Sequence, residues 1–181
     1  MMTKRLSLSQ WAISQKKKYR MLSDGSIQIQ GRTRIAPNVK IGGDVEIGDN
    51  CYIGNNVTIG DDCMIGNNVV ISDHTKIGDG VTIFDNVVIE NKVIIFNYVV
   101  IKYAARIGSN SILEKNCFLE PNAKIGKNCY LEIGSNIKHV AEIGDDSRVG
   151  AWASVGVHAV VAPGTTIGDH FVVLGCSNYP K

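Results

Sequence analysis

The chain has few aromatic residues and few prolines. Phe, Trp and Tyr make up 7% of its 181 residues and proline occurs four times, so neither a core of large rings nor a proline-rich linker organises it. No apolar run approaches the roughly 18 residues of a membrane span. The opening MMTKRLSLSQWAISQKKKYR has no apolar segment of the secretory-signal kind. The five cysteines are an odd number, which argues against a disulfide scaffold and makes a reducing cytoplasm the expected compartment. An excess of one charge is also missing: 19 Lys+Arg stand against 17 Asp+Glu, a formal net of +2. That balance excludes a wholly basic nucleic-acid binder, and 44% hydrophobic residues exclude disorder. One domain with enough aliphatic side chain to bury a core is what remains.

What the chain has in abundance is a period. From Ile29 every sixth residue is Ile, Leu or Val, through Ile35, Ile41, Ile47 and onward to Val173. If aliphatics filled about one position in three, chance would produce that run on the order of once in 10^12 trials. Gly follows the aliphatic at 42, 48, 54, 60, 66, 78, 108, 126, 144, 150, 156 and 168. Three residues after the aliphatic, Asn, Asp or Gly is usual, the types that tolerate left-handed or turn geometry. Four after it stands a small or β-branched residue such as Val57, Cys63, Thr75 or Ala123, with Phe171 the clearest exception.

Six fits neither the 3.6-residue helix nor a simple alternating strand. It fits a two-residue strand and a tight corner, three of which close a triangular coil of about 18 residues. Coils then stack through parallel backbone hydrogen bonds at roughly 4.8 Å. The prediction is an all-β, single-stranded parallel β-helix of about eight coils over residues 29–175, lined by ladders of aliphatics.

This pattern, an aliphatic followed by Gly, two variable residues and a small residue, resembles the hexapeptide repeat of left-handed β-helix acyltransferases. The left-handed winding is what the resemblance implies, since the period does not set the hand. The repeat runs without insertion from Ile29 to Val173, whereas many transferases of this kind extrude a loop that helps build the site.

Two segments lie outside the repeat. Residues 1–28 carry Lys4, Arg5, Lys16, Lys17, Lys18 and Arg20, leaving 13 basic residues against all 17 acidic ones from Asp24 on. A short helix over Ser9 to Leu22, or an irregular segment, is expected to cap the first coil, whose open edge would otherwise invite association. An anionic partner is the other reading of that basic cap. Residues 176–181 are expected to leave the prism as a tail.

Departures from a repeat are where chemistry is to be sought. At the third position after the aliphatic they form two groups, Lys92, Tyr98 and Ala104, then Val140, Trp152, His158 and His170, with His74 isolated. The stretch Gly134-Ser135-Asn136-Ile137-Lys138-His139-Val140-Ala141-Glu142-Ile143-Gly144-Asp145 resembles the catalytic stretch of the acetyltransferase domain of N-acetylglucosamine-1-phosphate uridyltransferases. Sugar N-acetyltransferases likewise place His four residues before an Ile-Gly pair, where His139 stands. The Cys-Asn-Tyr-Asp-Gly segment that follows in the uridyltransferase is missing here.

The resemblance implies an acyltransferase, most simply an acetyltransferase, using acyl-CoA as co-substrate without an acyl-enzyme and acting on a sugar or sugar nucleotide. His139 would be the general base, a task suited to imidazole. Gly156, about one coil on, would offer a backbone N–H to the oxyanion. Glu120 would orient the ring or pair with Lys138 near the acceptor. Arg148, Trp152 and Lys181 would contact the phosphates or adenine of CoA. A homotrimer with the donor between neighbouring prisms completes what is implied.

Competing readings are a non-catalytic β-helix scaffold and a metal protein like the γ-carbonic anhydrases, which bind zinc through three histidines. The gaps between His74, His139, His158 and His170 leave no close pair in sequence, so no metal is expected. Cys51, Cys63, Cys117 and Cys129 occupy the small inward position and are expected to be inert packing. Cys176 lies in the tail.

Overall fold

A computed structural model describes residues 32–179 and, before them, the backbone of two strands, Tyr19–Met21 and Ile27–Ile29. From Arg34–Ile35 onward the chain is a left-handed parallel β-helix of about eight coils. Each side of a coil is a two-residue strand, and every parallel pair is offset by 18 residues, as in Arg34↔Tyr52 and Ile35↔Ile53. The first face runs from Arg34–Ile35 to Asn178–Tyr179, the second from Lys40–Ile41 to Thr166–Ile167, and the third from Glu46–Ile47 to Val172–Val173. Among the described residues, no helix is long and apolar enough to cross a membrane.

The strand pattern is outward then inward. In each pair the second residue, the aliphatic rung, is buried, as Ile53, Ile59 and Ile71 are. Stacking rungs of one residue type supplies the core that no single coil has, with each fully buried Ile contributing on the order of 1.5–3 kcal/mol. The small residue four after the rung is buried too (Val45, Cys51, Ala105). Buried hydroxyls at that position are bonded: Ser111 Oγ donates to the Gly126 carbonyl (2.8 Å) and accepts from the Cys129 N–H (3.0 Å).

The corners explain the other columns. The third residue after the rung is left-handed almost throughout, for example Asn56 (φ 57), Asn68 (φ 56) and Asn122 (φ 61). The second residue's N–H is commonly accepted by an Asp or Asn side chain one coil on, as in Asn55 N to Asp73 Oδ1 (2.7 Å) and Asp61 N to Asp79 Oδ1 (2.9 Å). Glycine precedes it because the next coil packs directly on the backbone. A Cβ at Gly48 would stand 2.6 Å from the Gly66 carbonyl oxygen.

Both ends differ from expectation. Tyr19–Met21 is a strand, antiparallel to Ile27–Ile29, which is antiparallel to Arg34–Ile35. The helix expected over Ser9–Leu22 therefore does not include its last turn, and the rest of that segment lies outside the described residues. A hairpin edge on the first face can satisfy the open backbone of the first coil as a helix was expected to do. At the far end the prism continues past residue 175. Asn178–Tyr179 pairs with Val160–Val161, and Tyr179 takes the rung position, which a search for aliphatics overlooks.

Candidate functional site

The edge between the third and first faces departs most from the repeat. Glycine follows the rung there at Gly48 and Gly66, then gives way in four successive coils to Phe84, Lys102, Glu120 and Lys138, and returns at Gly156. Side chains at that position project from the corner. The Phe84 and Tyr103 rings meet edge to face at 5.0 Å, and Lys102 Nζ stands 3.8 Å above Phe84 and 5.8 Å from the centre of Phe118. This cation on an aromatic shelf was missed from sequence. Its signal was legible: loss of glycine at every third corner over four coils.

His139 stands at the second corner position of the same edge. Its column neighbour one coil on is Val157, which has no oxygen to accept the N–H. Glu120 Oε2 on the preceding coil takes that bond at 2.9 Å. The same device serves Ser109, whose neighbour is Lys127: Glu90 Oε2 accepts from its N–H (3.1 Å) and hydroxyl (2.8 Å). Glu120 thus holds the backbone beneath the imidazole; it neither bonds the ring nor pairs with Lys138. Among the described residues the His139 ring makes no hydrogen bond, and it lies half-buried beside the exposed His158, with centroids 5.9 Å apart and planes at 84°.

Two local anomalies lie within three residues of His139 in the chain. Val140 is left-handed (φ 58), a conformation that crowds a β-branched side chain and costs on the order of 1–3 kcal/mol. Asn136 Oδ1, three residues before His139, is buried with no hydrogen-bond partner among the described residues. Both are departures of the kind that gather at functional sites.

The remaining expected residues are divided. Gly156 is on the His139 edge, but its N–H donates to the Val173 carbonyl (2.9 Å) and is spent in the coil ladder. Among the described residues the adjacent Val157 N–H has no acceptor, because Gly175 in the next coil has no side chain; it is one of several corner N–H groups so placed. Arg148 lies on the second face, where its Nε donates to Glu132 Oε1 at 2.6 Å. Trp152 lies at the edge between the second and third faces, its ring packed where a Cβ on Gly134 would fall. Tyr98 covers Gly80 in the same way. Lys181 lies outside the described residues. One prism therefore gathers His139, Glu120, Lys138 and Gly156 on one edge and sets Arg148 and Trp152 elsewhere.

His170 shares the Trp152 edge, and His74 sits at the edge between the first and second faces. Cys51, Cys63, Cys117 and Cys129 are buried and Cys176 is exposed. Burial pushes the Cys63 and Cys117 thiols up from 9.0 to about 11, and raises Cys129 as well. These four thiols are packing, not nucleophiles.

Comparison with known proteins places the repeat in a family. The model for bacterial transferase hexapeptide (six repeats) matches residues 26–61, 56–83 and 122–157. No curated protein matches the chain. Among solved structures, UDP-N-acetylglucosamine O-acyltransferase from Moraxella catarrhalis is similar with a TM-score of 0.75 and 19% identity, over 82% of this chain and 65% of that one. The acetyltransferase domain of PglB from Neisseria gonorrhoeae is similar with a TM-score of 0.53 and 16% identity, over 54% of this chain and 48% of that one. The same domain in complex with acetyl coenzyme A gives 0.53 and 15%, over 60% and 55%. At these identities the likeness is one of fold, and this chain spans less than two thirds of the length of each.

Proposed function

We propose, since the chain belongs to the bacterial transferase hexapeptide family, that it transfers an acyl group from acyl-CoA to an amine or hydroxyl of a sugar or sugar nucleotide. Acetyl-CoA is the first donor to try. The observation that carries this reading is the His139 corner: an imidazole with no hydrogen-bond partner among the described residues, on a backbone whose N–H is accepted by Glu120. The family membership and the acetyl coenzyme A complex of the PglB domain support the donor class. A homotrimer in the cytoplasm, where acyl-CoA is supplied, belongs to the same reading.

The chemistry follows from those groups. The acceptor's oxygen or nitrogen attacks the thioester carbon and gives its proton to His139. The tetrahedral intermediate collapses with cleavage of the C–S bond, and the proton returns to the departing thiolate. No acyl-enzyme forms. A backbone N–H must face the oxyanion; among the described residues the Val157 N–H has no acceptor, whereas that of Gly156 is taken by the Val173 carbonyl. Lys102 and Lys138, on the N-terminal side of His139 along the edge, suit the phosphates of a sugar nucleotide, and a ligand donor would satisfy Asn136 Oδ1.

A scaffold role is the second reading, favoured by the uninterrupted 18-residue register from Arg34 to Tyr179. One experiment separates them. Acetyl-CoA should raise the melting temperature of the wild-type chain, and free CoA thiol should appear when amino sugars or UDP-sugars are added. His139→Ala should keep the stabilisation and lose the thiol release. No stabilisation and no release by an intact wild-type fold, across donors from acetyl to long-chain acyl-CoA, would sink the enzyme reading.

A further inference from the structure

Two edges of the prism lose the corner glycine over three or more successive coils, and they differ in what the replacements do. On the edge between the second and third faces these are Phe96, Glu114 and Glu132. Both carboxylates there are taken by side chains: Glu114 Oε1 accepts from the Tyr130 phenol (2.8 Å) and Glu132 Oε1 from Arg148 Nε (2.6 Å). On the His139 edge the replacements are Phe84, Lys102, Glu120 and Lys138. Neither lysine forms a salt bridge among the described residues. The acids beside them are turned to the backbone. Glu120 Oε2 accepts the His139 N–H (2.9 Å) and Asp85 Oδ1 accepts the Asn67 N–H (2.7 Å). The next acid along this edge, Asp49, stands two coils before Asp85. Formal charge between Phe84 and His139 therefore balances, but the carboxylates are spent on N–H groups and the ammonium groups are not.

The second corner position of the same edge reads Tyr103, Pro121 and His139 in successive coils. Tyr103 is 48% exposed. Its ring is braced edge to face against Phe84 at 5.0 Å, and Lys102 Nζ lies 3.8 Å above the Phe84 ring. A ring already held in place loses little freedom when another ring stacks on it. An exposed phenol beside an unbridged ammonium is the pairing that receives a base on one group and its phosphate on the other. Tyr103 precedes His139 by two coils, about 10 Å, and its Phe84 brace by three, about 14 Å. Pro121 lies between them as a half-buried apolar floor one coil long. A free hexose with its reacting group at His139 covers Pro121 and stops short of Tyr103. A hexose extended through two phosphates to a nucleoside spans the whole distance.

We propose that this edge takes its acceptor as a nucleoside diphosphate sugar laid toward the N-terminal coils, with the base stacked on Tyr103, the phosphates between Lys102 and Lys138, and the sugar over Pro121. Base stacking and phosphate binding need no catalysis; the placing of the sugar at His139 rests on the acyl-transfer reading. The arrangement selects against free amino sugars, which leave Tyr103 bare and both lysines without an anion. Every base has a π-face, so the platform sets the class of ligand and tolerates different bases.

The test titrates the full chain with UDP-glucose, ADP-glucose and glucose 1-phosphate, followed by calorimetry and by saturation transfer from protein to ligand protons. At least one nucleotide sugar should bind about tenfold or more tightly than glucose 1-phosphate, with its base protons strongly saturated. Tyr103→Ala should weaken that binding about 5- to 150-fold, the range of one base stack, and Tyr103→Phe should keep it. Lys102→Gln should weaken it and flatten its salt dependence. Tyr98→Ala, which removes an exposed phenol from another edge, should leave it unchanged. No binding of either nucleotide sugar, equally tight binding of glucose 1-phosphate, or indifference to Tyr103→Ala overturns the proposal. Nucleotide sugars bound through Tyr103 that give no CoA thiol release with any acyl-CoA would leave the platform standing and remove the function proposed above. Thiol release with free amino sugars alone would do the reverse.

Discussion

Val140→Asn should make the protein more stable although it removes a half-buried aliphatic. Val140 is left-handed (φ 58), in a column that holds Asn at 50, 68, 86 and 122 with φ between 56 and 62. An L-residue with a Cβ loses about 1–2 kcal/mol there, and Asn recovers part of it through local hydrogen bonding. The half-buried valine returns at most about 1 kcal/mol of burial. The net expectation is a gain of roughly 0.5–1 kcal/mol, a rise in melting temperature of about 1–4 °C for a chain of this size. Asn122→Val, one coil earlier, is the reverse experiment and should lower it by about 2–6 °C. Thermal unfolding followed by circular dichroism measures both. If the two substitutions shift the melting temperature in the same direction, or neither shifts it, the corner stores no strain and Val140 has no significance beside His139. If the signs are as stated, the valine has been kept against stability, and CoA thiol release should fall in Val140→Asn.

Other consequences are equally specific. Gly48→Ala should cost about 1–3 kcal/mol, because its Cβ would stand 2.6 Å from the Gly66 carbonyl oxygen, whereas Gly168→Ala, with nothing within 4 Å, should be neutral in urea unfolding. Glu120→Ala should destabilise by about 1 kcal/mol and depress turnover, while Glu120→Gln, which still offers an oxygen to the His139 N–H, should retain most of both. Under native conditions a thiol reagent should titrate one cysteine, Cys176, and the other four only after unfolding; fast reaction of a second thiol would contradict the packing. Stability should fall as pH rises from 9 toward 11. The unfolded Cys63 and Cys117 thiols ionise near 9.0 and the folded ones near 11, so the unfolded chain binds fewer protons across that window. The loss is about 2–3 kcal/mol per thiol, full stability being present below 9, and Cys117→Ala should flatten the fall in urea midpoint.

The rung at every sixth position, glycine one later and Asn or Asp three later determined the coil, its register and its inward residues without reference to anything distant. Each is a local requirement: a buried aliphatic, a corner with no room for a Cβ, a left-handed turn. The offset of 18 then follows, because three corners close one coil. His139 was legible for the same reason, as a departure at a fixed place in a strict pattern. The sequence alone could not decide relations between coils. That Glu120 clamps the His139 backbone, that Gly156 has spent its N–H while Val157 has not, and that Trp152 and Arg148 stand away from His139 all depend on which of three edges a residue occupies. Period six treats the three edges alike; only stacking 18 apart separates them, and a site made along one edge exists only once the coils are stacked.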